Sequence, residues 1–289
     1  MKQLVILSGK GGTGKTVLSA CFAVLASNKM MADCDVDAAN LYLLLHPEIQ
    51  ETHPFFGMDK ARIDTEKCTS CGQCEEVCRF DAIRQTQTGD FEVDRIACES
   101  CGICSLICPA DAIPMEKNQS GEWYVSRTSY GPFVHAKLGI GEENSGKLVT
   151  EVRKNAKERA EKKGMAWVIV DGPPGIGCPV IASLSGADLA LVVTEPTPSG
   201  IHDMKRVIQV ASHFGIKTAC CINKHDLNAA NTVQIQDWCG QNSVPVVGKI
   251  PYDDTVTESM KKGKPLVEYA DNATTKAVKE AWENLKKSA

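Results

Sequence analysis

Eight cysteines in this 289-residue chain are stepped in two matching runs. Cys68, Cys71, Cys74 and Cys78 form the first; Cys98, Cys101, Cys104 and Cys108 repeat its spacing thirty residues later. Three thiolates at this spacing wrap one corner of an iron-sulfur cube, and the fourth of each run points to the other copy's cluster. Crossed ligation is therefore expected: Cys68, Cys71, Cys74 and Cys108 for one 4Fe-4S cluster, and Cys98, Cys101, Cys104 and Cys78 for the other. Zinc also takes four thiolates, but its usual pattern is two separated pairs, not an evenly stepped triplet plus one. A second constellation, GKGGTGKT at Gly9 to Thr16, has the spacing of a phosphate loop. In such a loop the backbone of Gly9, Lys10, Gly11, Gly12, Thr13 and Gly14 cradles phosphates. Lys15 reaches the outer ones, and Thr16 offers its hydroxyl to Mg2+.

These residues need elements to hold them. Gln3 to Leu7 reads as a strand running into the loop, and Thr16 to Ala26 as the helix leaving it. Later apolar runs at Trp167 to Val170, Leu189 to Val193, Ala219 to Ile222 and Val244 to Val247 lack strict alternation, as expected of strands covered on both faces. Helical patterns fall between and after them, at Met204 to Phe214, Thr232 to Trp238 and Thr274 to Leu285. The alternation predicts an α/β fold with a doubly wound, mostly parallel sheet. Residues 54–118 break that rhythm with the two cysteine copies, ending FDAI at Phe80 to Ile83 and ADAI at Ala110 to Ile113. The expected organisation is a discontinuous host domain, 1–53 and 119–289, with a duplicated module, 54–118, inserted in a loop. Gly121 to Leu138 reads as a pair of edge strands.

Composition narrows the function classes. A net charge of -4 with scattered Lys and Arg gives no electrostatic footprint for nucleic acid. No apolar run reaches the roughly 18 to 20 residues of a membrane span, and no export signal follows Met1. Fourteen cysteines without such a signal indicate metal ligation in a reducing compartment, so a cytoplasmic location is expected. The six cysteines outside the two runs, Cys21, Cys34, Cys178, Cys220, Cys221 and Cys239, have no ligand spacing. All but Cys178 read as small buried hydrophobes.

The 54–118 segment resembles a bacterial two-cluster 4Fe-4S ferredoxin, an α+β module. It departs from that pattern at Arg79, which stands where the second copy has Pro109. The host resembles the MinD/ParA and nitrogenase iron protein superfamily of deviant Walker P-loop ATPases, on the double lysine of KGGTGKT. The resemblance implies that Lys10 crosses a subunit interface to the partner's nucleotide in an ATP-dependent sandwich dimer. DCDVDAAN at Asp33 to Asn40 is similar to the family's switch I, with Asp35 orienting the attacking water and Asp33 and Asp37 in support. VIVDGPPGIG at Val168 to Gly177 is similar to switch II, delivering Asp171 to the magnesium shell. TEPTPSG (Thr194 to Gly200), INK and IPYDD also resemble family segments, which implies that Asn223 and the backbone of Pro251, Tyr252 and Asp253 hold adenine. Cys178 lies at the offset from Asp171 where the nitrogenase iron protein has a cluster ligand bridging its subunits.

The combined resemblance is to the MinD branch with an inserted ferredoxin domain. It implies ATP binding and slow hydrolysis coupled to electron transfer, or to metal-cofactor assembly, on a partner protein. The dimer is expected to be a homodimer or a heterodimer with a paralogous ATPase. An ATP-dependent cluster carrier or scaffold is the alternative, although the CPxC pair of such scaffolds is missing at Cys221-Ile222. A MinD-like positioning ATPase with structural clusters ranks below it, since Trp282 and Leu285 in the last segment offer too little apolar surface for a stable membrane anchor. No amidotransferase-type nucleophile domain is expected after Ala289.

Overall fold

The computed structural model describes residues 1–142 and 146–288. The chain runs through β1 (Lys2–Ser8), α1 (Lys15–Leu25), β2 (Lys29–Asp33), α2 (Tyr42–Leu45) and β3 (Glu48–Phe56). The cysteine-rich segment then holds β4 (Lys60–Ala61), α3 (Gln73–Glu76), β5 (Ile83–Gln85), β6 (Phe91–Val93), α4 (Ile103–Ile107) and β7 (Met115–Glu116). There follow β8 (Gln119–Thr128), β9 (Gly131–Leu138), α5 (Lys147–Lys162), β10 (Trp167–Pro174), α6 (Cys178–Leu184), β11 (Leu189–Thr194) and α7 (Pro198–His213). The last part is β12 (Lys217–Asn223), α8 (Ala229–Gln241), β13 (Val246–Ile250), α9 (Asp254–Lys261), α10 (Leu266–Tyr269) and α11 (Ala273–Ser288).

Among the described residues one sheet of nine strands has the order β13-β12-β11-β1-β10-β2-β9-β8-β3. The pairs from β13 to β9 in that order are parallel. Both faces of its centre are dry, which explains the unbroken apolar runs. On one face Leu4, Ile6, Ile169, Leu191 and Cys221 join Leu18 and Phe22 of α1 and Trp282 and Leu285 of α11. Their sequence neighbours Val5, Leu7, Val168, Val170, Val192 and Cys220 are equally buried. Side chains alternate faces along a strand, so these must be covered from the other side. The Phe22 ring lies 4.9 Å from that of Trp282. Trp282 and Leu285 thus belong to the core. No helix among the described residues is long and apolar enough to cross a membrane.

Several elements differ from the sequence expectation for identifiable reasons. The last strand starts at Val246 instead of Val244, because the Val244 N–H donates to Cys239 O at the end of α8 and Pro245 has no N–H to give a ladder. Helix α5 was not anticipated, yet its buried Leu148, Val149, Val152, Ala156 and Ala160 recur at helical spacing. Strand β3 is polar, mostly exposed and contains Pro54, which an edge strand tolerates.

The chain divides into two compact units, Met1–Thr52 with Trp123–Lys137 and Asn144–Ala289, and His53–Glu122 with Leu138–Glu143. The second is wider than 54–118: β3 runs through the first expected boundary and β8 starts at the second. Ala289 and residues 143–145 lie outside the described residues. Within the second unit, β4 pairs with β7 and β5 with β6, both antiparallel. Its core is small, with Ala61, Ile63, Ile83, Phe91 and Ile113 packed against cysteines of both runs.

Candidate functional site

The phosphate loop is the turn from β1 into α1. Gly14 caps the helix with φ 91°, in the left-handed region, and a Cβ there would strike the Asn223 amide. That amide donates to Thr13 O at 2.8 Å. Asn223, expected at the adenine, therefore braces the phosphate loop in this structure. Thr16 is half-buried at the start of α1.

Strands β1, β10 and β2 lie side by side, and their register sets Asp171 opposite both Ile6 and Asp33. Acidic side chains from two strands thereby meet the helix that carries Lys15. The Lys15 ammonium is 3.0 Å from Asp35 Oδ2 and 3.2 Å from Asp171 Oδ1, and all three residues are buried. Burial works against the lysine charge, but Asp171, Asp35 and Asp33 more than offset it and hold the ammonium above the usual lysine range. Burial also raises the carboxyls of Asp33 and Asp35, with Asp171 adding repulsion and Lys15 opposing it. Asp33 orders the turn that follows β2, accepting the Asp35 N–H at 3.1 Å and the Leu41 N–H at 3.3 Å. Asp37 is exposed.

Asp171 Oδ1 accepts the Ser19 hydroxyl at 2.8 Å, while its Oδ2 is buried with no hydrogen-bond partner among the described residues. An orphaned carboxylate oxygen beside a phosphate loop suits Mg2+, which takes hard oxygen ligands and keeps waters in its shell. Ser19 escaped the sequence reading. It lies four residues after Lys15, one turn along α1, so the helical period alone could have placed it near Lys15.

Lys10 is half-exposed and engaged within its own chain. Its ammonium is 2.6 Å from Glu195 Oε1 and 3.2 Å from Ser199 Oγ, both of its own chain. Glu195 Oε2 also receives Lys224 at 3.2 Å. Burial opposes the Glu195 charge, but these two lysines hold its carboxyl below the usual range. Glu195 and Lys224 stand at the ends of β11 and β12 in segments the sequence reading singled out, though not for this pairing. At the expected adenine loop, the Tyr252 N–H donates to Asp226 Oδ1 at 2.7 Å. Asp253 caps α9 and also accepts from Asn272 and Thr274. That employs the Asp253 side chain structurally.

In the second unit, two cavities divide the eight cysteines four and four. One is lined by Cys68, Cys71, Cys74 and Cys108; the other by Cys78, Cys98, Cys101 and Cys104. The two copies share their backbone: Ser70 and Ser100, Gly72 and Gly102, and Asp81 and Asp111 all have positive φ. The Ser70 and Ala112 N–H groups point at Cys68 Sγ and Cys108 Sγ, at 3.4 and 3.3 Å. Among the described residues no three or more His, Cys, Asp or Glu side chains are gathered as a single metal ion requires. A cubane makes a different demand, one thiolate at each of four irons, and four soft thiols around each cavity fit that donor set. Cys178 is exposed at the first position of α6, and the other five cysteines without ligand spacing are buried.

The family described as the CobQ/CobB/MinD/ParA nucleotide binding domain matches residues 4–266. An uncharacterized protein of Methanocaldococcus jannaschii is 34% identical over 287 residues, covering 98% of this chain and 96% of its own. Among solved structures, the septum site-determining protein MinD of Pyrococcus horikoshii, complexed with Mg-ADP, superposes with a TM-score of 0.59 at 18% identity, covering 99% and 96% of the two chains. MinD in the MinC:MinD complex of Aquifex aeolicus gives 0.61 at 18% identity, covering 100% and 97%.

Proposed function

Because the chain belongs to the CobQ/CobB/MinD/ParA family of nucleotide-binding P-loop ATPases, we propose that it hydrolyses Mg-ATP as a dimer and couples that cycle to two 4Fe-4S clusters in its ferredoxin-like unit. Through them it delivers electrons to a partner protein, or serves cofactor assembly on one. The location that suits this chemistry is the reducing cytoplasm.

The Lys15 contacts suggest how the nucleotide acts. The Lys15 ammonium donates to Asp35 and Asp171. A triphosphate is a stronger anion for the same ammonium and draws Lys15 onto its outer oxygens. Asp35 is then released to orient the attacking water, and Asp171 and Thr16 would hold Mg2+, which would neutralise charge on the phosphates, as phosphoryl transfer by positioning and charge neutralisation requires. Lys10 must leave Glu195 before it can reach a partner subunit's phosphates. ATP shifts the open-closed equilibrium only through its different affinity for the two states, and these exchanged ion pairs supply a difference.

The observation that carries the iron-sulfur part is the sorting of eight thiols into two cavities, each taking three cysteines of one run and the last of the other. Cys68, Cys71, Cys74 and Cys108 would hold one cluster, and Cys98, Cys101, Cys104 and Cys78 the other. When bound, such clusters supply one-electron chemistry at potentials set by local charge, hydrogen bonds to sulfur and solvent exposure. The N–H groups of Ser70 and Ala112 draw charge from their cysteine sulfurs. The experiment is anaerobic purification followed by iron, acid-labile sulfide and ATPase assays. About eight irons and eight sulfides per chain are expected from two such clusters. Material devoid of sulfide would end the iron-sulfur reading, and EPR spectra identical with and without Mg-ATP would end direct redox coupling.

A further inference from the structure

We propose that the cavity lined by Cys78, Cys98, Cys101 and Cys104 is the electron gateway of the second unit, and that the apolar surface around it docks a one-electron carrier with a basic rim. This rests on the iron-sulfur reading above.

The two copies agree in their cysteines and backbone but not in what they show to solvent. Where the first has Gln73 and Glu76, the second has Ile103 and Leu106 thirty residues on. Ile103 is 47% exposed and Leu106 84%. Being three residues apart on α4, they share a helix face. Val77 and Phe80, also exposed, line the same cavity as Ile103. The other cavity has the exposed polar side chains Thr69 and Gln73 on its wall. Large apolar side chains left in water forgo the stabilisation that burial would give. Ile103, Val77 and Phe80 gather on the wall of this one cavity, with Leu106 beside Ile103 on the same face of α4, and such a grouping at a cavity mouth marks an interaction surface.

Charge selects the occupant. Residues 53–122 carry thirteen Asp and Glu against seven Lys and Arg, and Glu99 lines the gateway cavity itself. A second copy of this acidic unit would be repelled, whereas a carrier with lysines around an apolar cofactor edge is attracted and oriented. One electron passes from the reduced unit to the carrier. No bond is made or broken and no proton moves.

The test uses the whole anaerobic protein, reduced with dithionite and freed of excess reductant, and ferric mitochondrial cytochrome c as a basic one-electron acceptor with an exposed haem edge. The double variant Ile103→Gln/Leu106→Gln removes apolar surface without altering charge. It should slow ferrous haem formation at least about ten-fold and weaken calorimetric binding by a similar factor. Its sulfide content and ATPase rate should equal those of the unmodified protein. The variant Thr69→Asn/Gln73→Asn, on the other cavity, should leave rate and binding unchanged. Added salt should lower both. Full sulfide with an unaltered rate in the first variant, equal slowing in the second, or a rate that rises with salt would overturn the gateway assignment. Unmodified protein without sulfide would instead overturn the cluster reading on which it rests.

Discussion

Replacing Glu195 with Gln is expected to tighten the ATP-bound dimer. In the structure the Lys10 ammonium is 2.6 Å from Glu195 Oε1, with the two side chains 33% and 14% exposed. An ion pair in such partly wetted surroundings is worth about 0.2–1 kcal/mol after solvent screening. A two-fold dimer breaks two of these links as both lysines swing across, so about 0.4–2 kcal/mol opposes closure, or about a 2- to 30-fold change in dissociation constant. Glu195→Gln keeps an acceptor oxygen and the side-chain volume while removing the charge that holds Lys10. The assay is sedimentation equilibrium with Mg-ATP, comparing Glu195→Gln/Asp35→Asn with Asp35→Asn alone so that turnover does not drain the nucleotide. The Glu195 carboxyl is held below its usual range, so this stabilisation is present above the unfolded pKa and is lost only as pH falls through the lower folded one. The advantage of the variant should therefore be constant between about pH 6 and pH 8. A dissociation constant equal to or weaker than that of the control would refute the idea that Glu195 restrains Lys10.

Three further expectations follow from particular contacts. Arg79 adjoins Cys78, which lines the gateway cavity, and a cation there favours the more negative reduced form; Arg79→Pro should lower the potential of that cluster and spare the other in an EPR-monitored titration. Unchanged potentials in both would dismiss the effect. Burial pulls the His135 imidazole down to about 4, where it stacks on Phe133 and meets Ser126 Oγ at 2.9 Å. The unfolded chain then binds the extra proton first, so this group withdraws about 2 kcal/mol of stability between pH 7 and pH 5, and His135→Gln should flatten that part of the urea-denaturation profile. Phe22, fully buried against Trp282, should cost about 3–5 kcal/mol when cut to Ala and lower Tm by about 10 °C in calorimetry, and a shift under 2 °C would mean the α1–α11 contact is not part of the stabilising core.

The parallel core was readable because strands buried on both faces require continuous apolar runs, as at Leu4 to Leu7 and Val168 to Val170. The edge was less so. Strand β3 carries Glu48, Gln50, Glu51 and Pro54, and with little burial there is little hydrophobic pattern to read. The start of β13 depended on which group the Val244 N–H bonds, a choice made by the end of α8 and invisible in local composition.

Among the expected site residues, Gly14, Lys15 and Asp171 were singled out by motif spacing, and the fold places Gly14 in the left-handed turn before α1 and Lys15 3.2 Å from Asp171. The cysteine steps are likewise visible along the chain, and the fold sorts their side chains four and four around two cavities. Pairings between distant segments leave no such trace. Only the sheet register brings Asp171 beside Asp33, only the meeting of β11 and β12 with the phosphate loop sets Glu195 between Lys10 and Lys224, and only the folded second unit sets Ile103 of one run and Val77 and Phe80 of the other on the wall of one cavity. Spacing along the chain is a property of the sequence; closeness across it is decided by how the strands and helices pack.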